Sequence, residues 1–226
     1  NVSTEAVRAF EDQKAVPAGK MLAVYNGISL GQFRKSVSGG SQIRSELGLA
    51  EDKKLIVAVG RLSEPKDYPN LLNALARVGN GISDWHLAVA GGGPLRNNLA
   101  SLTQKLGLGD RVSFLGVRND IPDLLSAADL FVLSSAWEGF PMVVGEAMAC
   151  ECLVVATDCG GVREFLGDSE FLVEANNFEA LAAAISGALQ LTDDQRAAYG
   201  RSARERIQEL YSLDATVDKW LAIYKG

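Results

Sequence analysis

One histidine and three cysteines in 226 residues leave little material for several kinds of protein. The single histidine, His86, sits in the strand-like run WHLAVAG, a place for a structural side chain rather than a catalytic base. The cysteines, Cys150, Cys152 and Cys159, lie in apolar or glycine-rich segments, so they read as small buried hydrophobes of a reducing compartment. A zinc site would want more ligands. No run approaches the roughly 18 apolar residues of a membrane span, and no basic-then-apolar leader opens the chain. The Asn1-Val2-Ser3 sequon therefore carries no expectation of secretion, and the expected location is the cytoplasm. Positive charge is in deficit, with 22 Lys and Arg against 28 Asp and Glu. This argues against nucleic acid or an anionic membrane surface as the main partner, since both select for clustered cations. Small anions need only local positive charge. A dinucleotide fingerprint is missing too: the sixth position from Gly91 is Arg96, where G-x-G-x-x-G wants glycine, so a nicotinamide dehydrogenase is disfavoured.

With 47% hydrophobic and 22% charged residues, the chain has the balance of a globular protein, and its length suits one large domain plus appendages. Six short runs, KLIVAVG from Lys54, HLAVAG from His86, RVSFLG from Arg111, LFVLSS from Leu130, CLVVAT from Cys152 and EFLV from Glu170, show little polar alternation and end in or run into Gly, Ser, Thr or an acid. Such runs suit strands covered on both faces. Between them PNLLNALARVG, PLRNNLASLTQKLG, DIPDLLSAA and PMVVGEAMAC repeat apolar residues at helical spacing. Alternating strands and helices predict an α/β fold, a doubly wound six-stranded parallel sheet over residues 52 to 175, with ligands at the carboxyl ends of the strands. After Val173 only helical patterns follow. In front, STEAVRAFEDQKA reads as a capped helix, KMLAVYNG as a strand and KSVSGGSQI as a polar connection.

Chemistry is therefore expected in the segments after the strands. The first strand ends GRLSEPKDY, where Gly60 permits a tight turn and Arg61 and Lys66 precede a helix capped by Asp67. A guanidinium fork and an ammonium near a helix start suit a diphosphate; equally, Arg61 can pair with Glu64 and leave Lys66 solvated. The glycines of AGGGP fit either a ligand contact or a tight turn. The fourth strand runs into SSAWEGFPMVVGEAMAC, where Pro141 at a helix start leaves the amides of Gly139, Phe140, Met142 and Val143 open. Glu138 can accept from ligand hydroxyls, and Glu146, among small residues within the helix, needs partners for its oxygens. Two vicinal hydroxyls of a ribose would serve; so would a salt bridge to Arg61 or solvent.

GRLSEPK, GGGP, FLG, EGFPMVVGEAMAC and the pair Gly160-Gly161 together resemble the C-terminal, donor-binding domain of a retaining GT-B glycosyltransferase, family 4 or glycosyltransferases group 1. The order of these elements matches from Asn26-Gly27 to the last helix. Two departures are Gly92, where an acidic or polar residue is common, and Asp67, where glycine is common. The resemblance implies one Rossmann-like half of a GT-B fold. Residues 1–45 would be a remnant of the N-terminal domain and its connection, 46–192 the nucleotide-sugar-binding domain, and 193–226 helices packing back towards the N-terminal half. It implies that Arg61, Lys66 and Glu138 are catalytic, the cations binding the donor diphosphate and Glu138 the sugar. Gly60, Val117, Gly139, Phe140, Pro141, Met142, Val143 and Glu146 would bind the rest of the donor, Glu146 at the ribose and the backbone of Val117 at the base. The donor is expected to be a UDP-sugar, with no metal or other cofactor, since no Asp-x-Asp is present and Asp158-Cys159-Gly160 does not make one. The acceptor is unspecified, and any peripheral membrane association would run through the N-terminal half. A nucleotide-sugar epimerase of the same fold, or a non-catalytic binding module, would share the clamp. A glycosidase would not need one.

Overall fold

The computed structural model describes residues 1–78 and 84–225. The helices and strands follow in the order α1 (Thr4–Asp12), α2 (Val37–Glu46), β1 (Lys54–Val59), α3 (Tyr68–Val78), β2 (Trp85–Ala90), α4 (Arg96–Lys105), β3 (Val112–Gly116), α5 (Ile121–Ala127) and β4 (Leu130–Leu133). Then come α6 (Met142–Ala149), β5 (Val154–Asp158), α7 (Val162–Leu166), β6 (Leu172–Glu174), α8 (Phe178–Gln190), α9 (Asp193–Leu210) and α10 (Leu213–Lys225). Gly79 and Gly226, which close two of the helical patterns, lie outside the described residues.

The six strands make one sheet, every pair parallel, in the order β3-β2-β1-β4-β5-β6. The unbroken apolar runs are explained by two cores, one on each face. Along β1, Ile56 and Ala58 join Leu71, Leu72 and Leu75 of α3 and Leu181 and Ile185 of α8. Leu55 and Val57 point the other way, to Leu124 of α5, Val144 and Met148 of α6 and Phe165 of α7. Each fully buried aliphatic side chain contributes about 1.5–3 kcal/mol, so neither face tolerates a polar substitution cheaply. Because β1 has β2 on one side and β4 on the other, the strand order reverses there. A crevice opens at the carboxyl ends of β1 and β4, the usual place for a ligand in a doubly wound sheet.

Two local expectations fail. KSVSGGSQI is not a connection but most of α2: the Ser36 side chain accepts from Gly39 N–H at 3.1 Å and starts the helix. Its glycines serve packing, since a Cβ on Gly40 would stand 3.0 Å from the Ser126 carbonyl oxygen at the end of α5. Ile43 of α2 is buried in the same core as Leu124 and Leu125. KMLAVYNG forms no strand; its backbone meets the chain start, the Asn1 amino group donating to Leu22 O at 2.8 Å and Val24 N–H to Asn1 O at 2.8 Å, and the nearest β-bridge runs from Ile28 to Ser212. A strand needs a neighbouring ladder, and among the described residues none lies beside this segment. No helix among the described residues is long and apolar enough to cross a membrane.

Candidate functional site

The loop after β1 is shaped by its neighbours. Gly60 N–H donates to Ala90 O at 2.9 Å and Leu62 N–H to Gly92 O at 2.9 Å, so this loop and the one after β2 run side by side. The approach is close enough that a Cβ on Gly91, whose φ is +143°, would fall 1.9 Å from the Gly60 carbonyl oxygen. Gly91 and Gly93 thus serve contact between two loops, a role that neither a tight turn nor a ligand contact describes. Residues Glu64–Lys66 make a single 3-10 turn, and Asp67 follows in the left-handed region at φ +41°. That conformation explains why glycine is common there. Asp67 meets it by accepting from Asn70 N–H at 3.3 Å, which caps the first turn of α3.

The loop after β4 is latched onto this one. Ala136 N–H donates to Pro65 O at 2.9 Å and Ser134 Oγ to Lys66 O at 3.0 Å. The latch brings Lys66 Nζ to 2.5 Å from Glu138 Oε1, a pair whose side chains are only 21% and 11% exposed. Lys66 is therefore not solvated. Among the described residues Arg61 forms no ion pair, so the alternative pairing with Glu64 is not made; its side chain is exposed at the same edge. Tyr68 stands behind Lys66, its hydroxyl donating to Gly60 O at 3.1 Å. Burial, with the nearby Glu138 charge adding to it, pushes this phenol well above the usual tyrosine range, so it stays a neutral donor.

Glu138 leads into α6 through Gly139, Phe140 and the buried Pro141, which occupies the N-cap position rather than the first turn. The Phe140 ring turns away into an aromatic cluster, stacked on Tyr25 at 5.4 Å and packed on Phe165 at 4.4 Å, leaving its main chain at the edge. The segment fits only because Gly160, at φ +52°, has no Cβ; one would lie 2.0 Å from the Glu138 carbonyl oxygen. Gly161 N–H then donates to Gly139 O at 2.8 Å. Among the described residues the amides of Gly139, Phe140, Met142 and Val143 reach no acceptor. Such unpaired amides at a helix start favour an anion.

Glu146 lies in the second turn of α6, half-buried, and its carboxylate has no hydrogen-bond or ion-pair partner among the described residues. The salt bridge to Arg61 is not formed. Burial alone raises its pKa above the usual carboxylate value. Val117, after β3, is 81% exposed two strands away from the crevice. Beside it Arg118 ties its loop to α2, reaching Glu46 at 2.6 Å and Asp120 at 2.5 Å. A cavity of about 500 Å³ lies away from this edge beside α9, and one of about 570 Å³ beneath α1 reaches Asp158, Cys159 and Gly160 at the carboxyl end of β5, next to the Glu138 main chain. Between Lys66, Tyr68, Ser134 and Ser135 there is a crevice of only about 10 Å³. Sequence reasoning missed Ser135 and Thr157, whose hydroxyls lie behind Glu138; in the sequence they merely close two strands.

A family described as glycosyl transferases group 1 matches residues 41–206. The chain is 33% identical over 81% of its length to an N-acetylgalactosamine-N,N'-diacetylbacillosaminyl-diphospho-undecaprenol 4-alpha-N-acetylgalactosaminyltransferase of Campylobacter jejuni, covering 48% of that protein. It is 32% identical over its whole length to D-inositol 3-phosphate glycosyltransferase of Mycobacterium marinum, covering 49% of it. Among solved structures, HepE of Anabaena in complex with UDP and glucose superimposes with a TM-score of 0.88 at 27% identity, over 99% of this chain and 62% of that one. The chain thus spans about half the length of the curated relatives it matches.

Proposed function

The chain belongs to the group 1 glycosyl transferases, and on that premise we propose that its carboxyl edge binds a nucleoside diphosphate sugar, with UDP as the nucleotide, for retaining transfer of a hexosyl group. The observation that carries this reading is the convergence at the crevice: Lys66 paired with Glu138 beside unpaired helix amides, with Arg61 unpaired in the same loop. Arg61 and Lys66 hold the diphosphate and take up its growing charge as the bond to the anomeric carbon breaks, the kind of fixed electrostatic stabilisation that lowers such barriers. Glu138 accepts from the donor sugar hydroxyls. The ribose hydroxyls satisfy the half-buried, partnerless Glu146. Main-chain groups of Gly139 to Val143 meet sugar and phosphate, Gly60 lets the ligand approach the first strand, and the backbone at Val117 meets the base. Two cations and open amides supply the positive charge that a divalent ion would otherwise bring, so the reading requires no metal or other cofactor. The complex of HepE with UDP supports UDP as the nucleotide.

The acceptor belongs to an N-terminal half that this chain does not include. In this reading residues 1–45 are the end of that half and its connection, 46–192 the donor domain, and 193–226 the helices that return to it. The exposed Leu213, Val217, Trp220 and Leu221 of α10 are the face offered for that return. Donor binding without transfer follows, because no acceptor wall excludes water or positions a nucleophile. The protein works in the cytoplasm, where its three thiols stay reduced.

Calorimetry with UDP and uridine, then incubation with labelled UDP-sugars with and without the N-terminal half, tests the proposal. Binding of UDP by the chain and transfer only with both halves is the expected result. Epimerised sugar in the products would support an epimerase, and donor left unchanged with both halves present a binding module. Failure to bind any nucleoside diphosphate would overturn both.

A further inference from the structure

Glu138 has a partner that the reading above leaves unused. Ser135 Oγ donates at 2.6 Å to Glu138 Oε1, the same oxygen that receives Lys66 Nζ. Ser135 is fully buried, and its carbonyl oxygen accepts the Thr157 hydroxyl at 2.6 Å and the Cys159 thiol at 3.3 Å, which ties the loop after β4 to β5. Ser134, one residue earlier, holds the Lys66 main chain. The two adjacent serines therefore grip both members of the Lys66–Glu138 pair, one by its backbone and one by its carboxylate.

The two donors on Oε1 differ in what a ligand does to them. Lys66 is a cation on a flexible stem, and a diphosphate competes with Glu138 for it. The Ser135 hydroxyl is uncharged, buried and fixed through its backbone, so a phosphate has no comparable claim on it. Once Lys66 turns to the phosphate, Ser135 is the donor that keeps the carboxylate in place, leaving Oε2 open to ligand hydroxyls. We propose that Ser135 is a positioning residue that orients the Glu138 carboxylate for the sugar of the donor, and thereby sets how the site distinguishes a nucleoside diphosphate with a sugar from one without. This rests on the donor-site reading of Glu138.

The test compares UDP with whichever of UDP-glucose, UDP-galactose and UDP-N-acetylglucosamine the wild-type chain binds best, by calorimetry, with thermal melts as a check on folding. In Ser135→Ala the affinity for UDP should stay within about twofold while that for the UDP-sugar falls about tenfold, the worth of one hydrogen bond to a charged group. Ser135→Cys keeps the size and a weak donor and should fall between; it also supplies the reading if the alanine variant does not fold. Thr157→Val, which loosens the Ser135 backbone and keeps its hydroxyl, should move the ratio the same way by less. An unchanged ratio in a folded Ser135 variant, or equal loss for both ligands, overturns the role of Ser135 while leaving the donor site standing. A wild-type chain that binds neither UDP nor any UDP-sugar overturns the donor site and this inference together.

Discussion

At the amino ends of β1 and β4 the Asp129 carboxylate collects Leu55 N–H at 2.8 Å, Arg44 at 3.2 Å, Lys54 at 3.7 Å and Arg196 at 3.8 Å. At the carboxyl ends of the same strands, Arg61 and Glu146 have no charged partner among the described residues, four amides before and within α6 reach no acceptor, and Lys66 and Glu138 form the one ion pair there among the described residues. One end of the sheet is closed by its own groups, joining α2, β1 and α9 to β4. The other end leaves charges and donors for something outside the chain. Because the two ends share strands, the contrast comes from the loops and helix starts rather than from the sheet. Stability is concentrated where partners are complete, and binding where they are not.

The largest loss of stability is expected at the closed end. Asp129→Ala removes the shared partner of three cations and leaves the Leu55 amide unpaired, while Lys54 and Arg196 keep Asp193 and Arg44 keeps backbone carbonyls, so it should cost about 1–3 kcal/mol of stability. Urea unfolding reads this, and UDP affinity of the folded fraction should stay the same. At the open end Lys66→Ala should weaken UDP about 10- to 100-fold with uridine nearly unaffected, as for a lost charge-assisted contact, and should also lower the melting temperature, because it leaves the Glu138 carboxylate with Ser135 as its one remaining partner among the described residues. Equal loss for both ligands would show that Lys66 serves only its pairing with Glu138.

Smaller effects sharpen the contrast. Glu138→Gln removes the internal competitor for Lys66 and should strengthen UDP binding by about threefold to tenfold, since part of an ion-pair contact no longer has to be broken. If UDP weakens instead, the pair is a preformed part of the phosphate site. Glu146→Gln should lower the preference for UDP over its 2′-deoxy form, because an ionised acceptor is replaced by a half-donor amide. The same variant addresses pH. Burial raises the pKa of Glu146 in the folded state, so the folded chain binds its proton more tightly than the unfolded one. Its contribution to stability is complete below the unfolded-state pKa and is lost as pH rises through the folded value. Glu146→Gln should therefore melt higher than wild type at neutral pH, with no gain in acid.

How much of this could be read beforehand follows from what each feature depends on. The six strands were legible because burial on both faces forces long apolar runs, and each run ends at a loop. Arg61, Lys66 and Glu138 were legible as loop residues, and Glu146 as a carboxylate among small residues within a helix. The Lys66–Glu138 contact was not, because it requires β1 and β4 to be neighbours, and strand order is not written in any one segment. The helix α2 was missed because Ser-Gly-Gly-Ser has the composition of a connection, whereas its glycines let the helix lie against the end of α5. The lost strand at Lys20 to Gly27 is the opposite error: its residues suit a strand, but pairing needs a ladder that no local pattern supplies.

If the open carboxyl edge is a nucleoside diphosphate site, amide shifts in a two-dimensional ¹H–¹⁵N NMR titration with UDP report it at the atoms concerned. The largest shifts are expected at Gly139, Phe140, Met142 and Val143 and along Gly60 to Lys66, smaller ones at Val117, and none at Leu55, whose amide is held by Asp129. Shifts gathered instead around Asp129, or in the cavity beside α9, with the α6 amides unmoved, would contradict it.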